Sequence, residues 1–227
     1  MNKKTDKRAL ARITGWSLIL MALIAGFSIG YAFPEFNKPN QTYFVKDNIL
    51  NNWGLYRNML IGILVILLLD FLISYTLYKF FREYNPNISL TSGILRFLYT
   101  IVFGIAAFYL YQNLNGTELT NQTINTNIRL FQSIWNGGLI IFGLHLTLIG
   151  VLMKSHPKIP KTLWYLVLIA GVSYVIVHFL KLVSPDLEFI NTLAMMLALP
   201  MAIGELSLAV WLLAKGGKDF NIEKHKN

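Results

Sequence analysis

The chain has 227 residues, of which 55% are hydrophobic and only 14% charged, with a mean hydropathy of +0.50. So little charge excludes an ordinary soluble globule, because it cannot cover the surface of one. The formal net charge of +9 then points to basic loops on one side of a membrane and not to nucleic acid. The absence of cysteine removes disulfides, thiolate metal ligands and thiol nucleophiles.

Residues 1–12 read as a basic, cytoplasmic N-terminal segment with Lys3, Lys4, Lys7, Arg8 and Arg12. The first apolar segment, Ile13–Phe33, exceeds the roughly 7–15 residues of a signal-peptide core, and no small-x-small cleavage site closes it. It therefore reads as a retained transmembrane helix. Ala22, Gly26 and Gly30 recur along it at four-residue spacing, a small-residue ridge that would suit close helix contact, including contact in a homo-oligomer. In the loop that follows, Val45, Ile49, Trp53 and Tyr56 recur at helical spacing and suggest a short amphipathic helix on the outer leaflet.

Five more apolar segments follow: Asn58–Tyr78, Gly93–Tyr111, Leu130–Met153, Thr162–Leu182 and Phe189–Ala214. Each is long enough to cross a hydrocarbon core of ~30 Å at ~1.5 Å per residue. Only helices satisfy the backbone of such segments in lipid. Breakers separate them: Pro34 and Pro39, Asn85-Pro86, Asn115-Gly116, His156-Pro157 with Pro160, and Ser184-Pro185. Residues 215–227 read as a polar cytoplasmic tail. The expected architecture is all-α: a polytopic integral membrane protein whose six transmembrane helices form one bundle over residues 13–214, with the lipid bilayer as its partner.

Orientation follows from the basic residues. With the N-terminus inside, fifteen Lys and Arg fall in cytoplasmic segments and five in outer ones, namely Lys38, Lys46, Arg57, Arg129 and Lys181. That asymmetry places both termini in the cytoplasm. Trp16, Tyr78, Trp164 and Trp211 fall toward the inner interface and Tyr31, Trp53, Tyr56, Tyr111 and Trp135 toward the outer.

Four ionisable residues lie inside the apolar segments: Asp70, His145, His178 and Glu205. A carboxylate at the bilayer centre costs about 2.5–3.5 kcal/mol on insertion scales, so these groups must face the bundle interior, one another or water. Counted back from Lys79, Lys154 and Lys215, the residues Asp70, His145 and Glu205 lie at one depth, roughly 14 Å from the inner boundary. Two acids and an imidazole at one level on three helices predict one buried polar cluster. Ser74, one turn from Asp70, and Arg96, in the third segment, are its expected accessories; Arg96 has the alternative of snorkelling to lipid phosphates. His178, a third candidate accessory, lies nearer the outer end, about 10 Å from the level of His145, which argues against a haem held by both.

The chain resembles a bacterial family of multi-pass membrane proteins, the domain-of-unknown-function family numbered 4386. The resemblance runs from Ala11-Arg12-Ile13-Thr14-Gly15 through Asn48-Ile49, Leu55-Tyr56-Arg57, Asp70, Leu77-Tyr78 and Arg96. Its most specific stretch is Phe142-Gly143-Leu144-His145-Leu146 with Gly150, followed by Lys154-Ser155, Ile159-Pro160, Ala170-Gly171 and Tyr174. It closes with Gly204-Glu205-Leu206-Ser207-Leu208, Trp211-Leu212-Leu213 and Lys215-Gly216. The resemblance implies a six-helix membrane domain and puts Asp70, His145 and Glu205 on motif positions. His178 departs from it, standing where an acidic or polar residue is more usual, and so does Trp164-Tyr165. No activity comes with it.

Three functions remain open on these residues. A binding or transport module would use the acid–His–acid cluster for a proton, a cation or a small polar solute. An intramembrane metalloenzyme would use Asp70, His145 and Glu205 to hold a divalent metal with a position left for water. A structural or regulatory membrane subunit would use them only to hold helices together. The sequence has no nucleophile motif, phosphate loop or metalloprotease motif, which weighs against an enzyme, and it calls for no cofactor of its own.

Overall fold

A computed structural model describes residues 3–38, 44–115, 119–184 and 187–218. The breakers Pro39, Gly116 and Pro185 and the tail from residue 219 onward lie outside the described residues. The helices are α1 (Lys3–Ala25), continued by a π-helical stretch (Gly26–Ala32) and α2 (Phe33–Phe36), then α3 (Val45–Asn51), α4 (Trp53–Phe81) and α5 (Pro86–Gln112). After a short 3-10 turn (Asn113–Asn115) come α6 (Asn121–Lys154), α7 (Lys161–Val183) and α8 (Glu188–Ala214). Six helices are long and apolar enough to cross a membrane: the continuous first span, Lys7–Phe36, and α4 to α8. Leu23, Leu64, Leu68, Ile105, Phe179 and Leu199 are among the large apolar side chains exposed on the outside, as a lipid-facing surface requires.

Local chemistry explains the helix starts. The Asn85 side chain accepts from the Ile88 amide, with Pro86 in the first turn of α5. Thr120 accepts from the Thr123 amide and starts α6 well before its apolar stretch. The basic N-terminal stretch is not a separate arm: α1 begins at Lys3, and Lys7 pairs with Glu83 beyond the end of α4. The amphipathic helix expected after the first span is α3, but its apolar face does not lie on a leaflet. Val45 and Ile49 are buried, as α3 packs on α4 and α6.

Each span packs on its neighbours in the chain, and the first packs on α8, so the six form a closed ring. Where α6 meets α7 the backbones touch: a Cβ on Gly143 would stand 2.7 Å from the Gly171 carbonyl oxygen. The ring closes at the end that carries both termini. There the Arg8 guanidinium donates to three carbonyl oxygens at the end of α8, those of Leu212 (3.0 Å), Leu213 (2.5 Å) and Gly216 (2.7 Å). These groups have no partner within their own helix and favour a cation.

Candidate functional site

Arg96 is the centre of the buried polar chemistry. Ser92, Arg96 and Thr100 recur at four-residue spacing on the inward face of α5, and all three are buried. The Arg96 guanidinium does not snorkel. It turns inward to Asp70 of α4, with Nε 3.0 Å and Nη2 2.5 Å from Oδ1. Both residues are 1% exposed, so the pair is fully withdrawn from solvent and lipid. A buried charge pair of this kind persists only where the remaining donors are also satisfied.

They are. Arg96 Nη1 lies 3.3 Å from Nε2 of His145 on α6. Since a guanidinium only donates, Nε2 must accept. The other ring nitrogen, Nδ1, then carries the proton and donates to the Ser92 carbonyl oxygen at 2.8 Å, with Ser92 Oγ also 2.9 Å away. Arg96 Nη2 reaches Met21 Sδ on the first span at 3.8 Å, and the guanidinium sits 5.2 Å from the centre of the Phe142 ring. One arginine thus ties together four spans.

Glu205 is held separately. The Tyr174 hydroxyl of α7 donates to its Oε1 at 2.6 Å, and Glu205 has no salt bridge among the described residues. Phe142 joins the two halves, packing edge-on against Tyr174 at 5.0 Å while facing Arg96 on its other side. With Met21, Asp70, Arg96, His145, Tyr174 and Glu205, every span of the ring contributes a side chain.

A cavity of about 420 Å³ lies between these groups. Asp70 and Glu205 both line it, with aromatic walls from Tyr99, Phe103, Trp135, Phe142 and Tyr174. Ala22 and Ala25 on the first span and Ala198 and Ala202 on α8 flank it. A second cavity, of about 740 Å³, lies toward the end away from the termini and is lined by Arg129, Asn136, His178, Lys181 and Asn191 among others. Residues Ala25, Ile29, Trp135, Leu139 and Tyr174 line both, so the two spaces adjoin.

The expected cluster therefore forms in part. Asp70 and His145 are brought together, but through Arg96 and not directly, and Glu205 faces the same cavity on its own partner. Ser74 is buried one turn from Asp70 and bonds back to the Phe71 carbonyl oxygen (2.8 Å), outside the cluster. His178 stands in the second cavity, with Nδ1 2.9 Å from Asn136 Oδ1 and its ring stacked on Tyr174. Ala22 and Gly30 line the cavities, and nothing lies within 4 Å of a Cβ built on Gly26. Asp70, His145 and Glu205 do not form a three-ligand metal group: the lone pairs of Asp70 and His145 point at a guanidinium. Among the described residues no three His, Cys, Asp or Glu side chains come together to hold a metal.

Ser92, Phe142 and Tyr174 are the partners that sequence reasoning missed. Ser92 had a signal in its spacing from Arg96 and Thr100, and Tyr174 in being a phenol near mid-span, whose hydroxyl needs a partner when buried.

The sequence model of the family described as Domain of unknown function (DUF4386) matches residues 13–216. The chain belongs to this family. The DUF4386 match takes in α4 to α8 and the first span from Ile13 onward, so every residue of the two cavities lies inside it. A protein of Archaeoglobus fulgidus described as "Uncharacterized protein" is 30% identical over 159 residues, covering 70% of this chain and 84% of its own. That relative is archaeal, so such proteins are not confined to bacteria. No solved structure matches the chain.

Proposed function

We propose that the ring is a solute-binding chamber within the membrane, and that its solute carries a positive organic group received by Glu205. The observation that carries this reading is the division of labour between the two acids. Asp70 is ion-paired with Arg96, whereas Glu205 faces the cavity with a hydrogen bond from Tyr174 and no salt bridge among the described residues. Five aromatic rings surround the same space, and a carboxylate within an aromatic enclosure is the chemistry that selects an organic ammonium ion. The cavity volume of about 420 Å³ suits a small amphiphile. The orientation that accompanies this reading has both termini in the cytoplasm. It draws on the basic asymmetry, which stands at fourteen against five once the buried Arg96 is set aside.

The test uses full-length protein in a neutral maltoside detergent, with octylammonium as the probe and octanol as the uncharged control. Octylammonium is expected to raise the unfolding temperature and quench the emission of Trp135, which lines the cavity; octanol is not. Glu205→Gln is expected to weaken octylammonium binding at least tenfold while the fold persists. Equal effects of octylammonium and octanol, or undiminished binding to the Gln variant, would overturn the reading.

A further inference from the structure

We propose that the outer cavity is an oxyanion subsite, so that the two cavities together take an elongated zwitterion: an ammonium at Glu205 and a carboxylate or phosphate at Arg129 and Lys181. The inference rests on the reading of Glu205 given above and supplies its other end.

The argument begins with the charge on the two linings. The inner cavity is lined by Asp70 and Glu205 and by no Lys, Arg or His. The outer is lined by Arg129, Lys181 and His178 and, among the described residues, by no Asp or Glu. Arg129 and Lys181 form no salt bridge among the described residues. The lining between them supplies further donors from Gln132, Ser133, Asn136 and Asn191. Two cations backed by side-chain amides and a hydroxyl are the recognition chemistry of an oxyanion.

Continuity is the second part. Tyr174 belongs to both linings and is the residue that holds Glu205, so a ligand passing from one cavity to the other runs along α7. From Tyr174 to Lys181 is seven residues on one helix, or ~10 Å at ~1.5 Å per residue. Where the two cavities adjoin, the path is bounded mainly by apolar side chains, Ala25, Ile29, Trp135 and Leu139, before it passes His178 and Asn136. An apolar chain of that length with unlike charges at its ends matches the path group for group. A free anion leaves the inner cavity unused, and a simple amine leaves the outer one unused.

Straight-chain ω-amino carboxylates are the probes, with full-length protein in neutral detergent and binding read from Trp135 quenching and thermal unfolding. 8-Aminooctanoate is expected to bind at least tenfold more tightly than octylammonium, and 4-aminobutanoate, too short to reach, to lose that advantage. Arg129→Gln with Lys181→Gln is expected to bring 8-aminooctanoate down to the octylammonium level while octylammonium itself is unaffected. Raising the salt concentration should shrink the carboxylate advantage in the unmutated protein, which checks the same contact without a variant. The matching ω-aminoalkyl phosphate separates the two oxyanions: tighter binding than the carboxylate assigns the subsite to phosphate, and weaker binding to carboxylate. If octylammonium binds and the carboxylate adds nothing, or if the double variant keeps the preference, the oxyanion subsite is wrong and the reading of Glu205 stands. If neither probe binds, both are wrong.

Discussion

Replacing Asp70 by Asn tests whether the Arg96 cluster works as a charged pair. Asn keeps the size of the side chain and an oxygen where Oδ1 stands, within reach of Arg96 Nε (3.0 Å) and Nη2 (2.5 Å). What it removes is the paired counter-charge of a guanidinium that is 1% exposed and whose other direct contacts, His145, Met21 and Phe142, are neutral groups. Breaking one side of a buried pair costs about 3–5 kcal/mol, because the remaining charge is left uncompensated. For a chain of this length each kcal/mol moves the unfolding midpoint by about 2–4 °C, which gives a fall of roughly 6–20 °C. The assay is thermal unfolding in detergent, followed by tryptophan emission. The double variant Asp70→Leu with Arg96→Met removes both charges and fills the space with carbon, and it is expected to recover most of the loss. A neutral Asp70→Asn would refute the reasoning, since the acid would then serve as a hydrogen-bond acceptor alone. A double variant no better than the single would refute it as well.

Gly171→Ala should destabilise the bundle by about 1–3 kcal/mol, because the new Cβ would meet the Thr147 amide nitrogen at 2.6 Å and the Gly143 carbonyl oxygen at 2.8 Å, neither of which can yield. Gly26→Ala, with nothing within 4 Å of the new Cβ, should leave the midpoint unchanged or raise it, and equal losses in the two variants would contradict the packing described. Glu205→Gln should unfold near the unmutated midpoint, since an amide oxygen still accepts from Tyr174, whereas Glu205→Ala should lose about 1–3 kcal/mol by stranding that hydroxyl; thermal unfolding of both variants decides it. Reporter fusions after Lys158 and Lys218 should read cytoplasmic and a fusion near Thr120 external; an external reading at Lys218 would overturn the proposed orientation.

The six spans were legible because each carries an apolar run bounded by breakers, and a polar backbone in lipid has few alternatives. Their ends were less so. The stretch from Asn121 to Arg129 is polar and reads as loop, yet it is the first part of α6, capped by Thr120 and fixed by Asn127, whose Nδ2 donates to Asn113 Oδ1 at 2.7 Å. Polar composition there marks where the helix leaves the hydrocarbon, not where it ends. At the site, Asp70, His145 and Glu205 were legible for one reason: an ionisable group in the membrane must find a partner. Which partner it finds was not legible. Arg96 at one turn's depth satisfies its donors equally well on lipid phosphates or on Asp70, and the choice depends on how α4 and α5 are turned toward each other. The pairing of Glu205 with Tyr174 depends likewise on α7 and α8 meeting, which no spacing within one helix encodes.

The Arg8 clasp gives the ring an order of assembly. Apart from the closure of the first span on α8, the extensive packing between spans joins helices adjacent in the chain, so each new helix has its main partner made before it. Asp70, Arg96 and His145 sit on three consecutive helices, so the ion pair and the histidine that accepts from it are all made before α7. Glu205 comes on the last helix, and only after α8 has inserted can Arg8, made more than 200 residues earlier, reach the carbonyls of Leu212, Leu213 and Gly216. Until that moment the partial bundle is a horseshoe open to lipid, with the Tyr174 hydroxyl on its rim. A chain that stops short of α8 has no Glu205 to accept from Tyr174 and no wall on that side of the cavity, so its polar interior faces the bilayer.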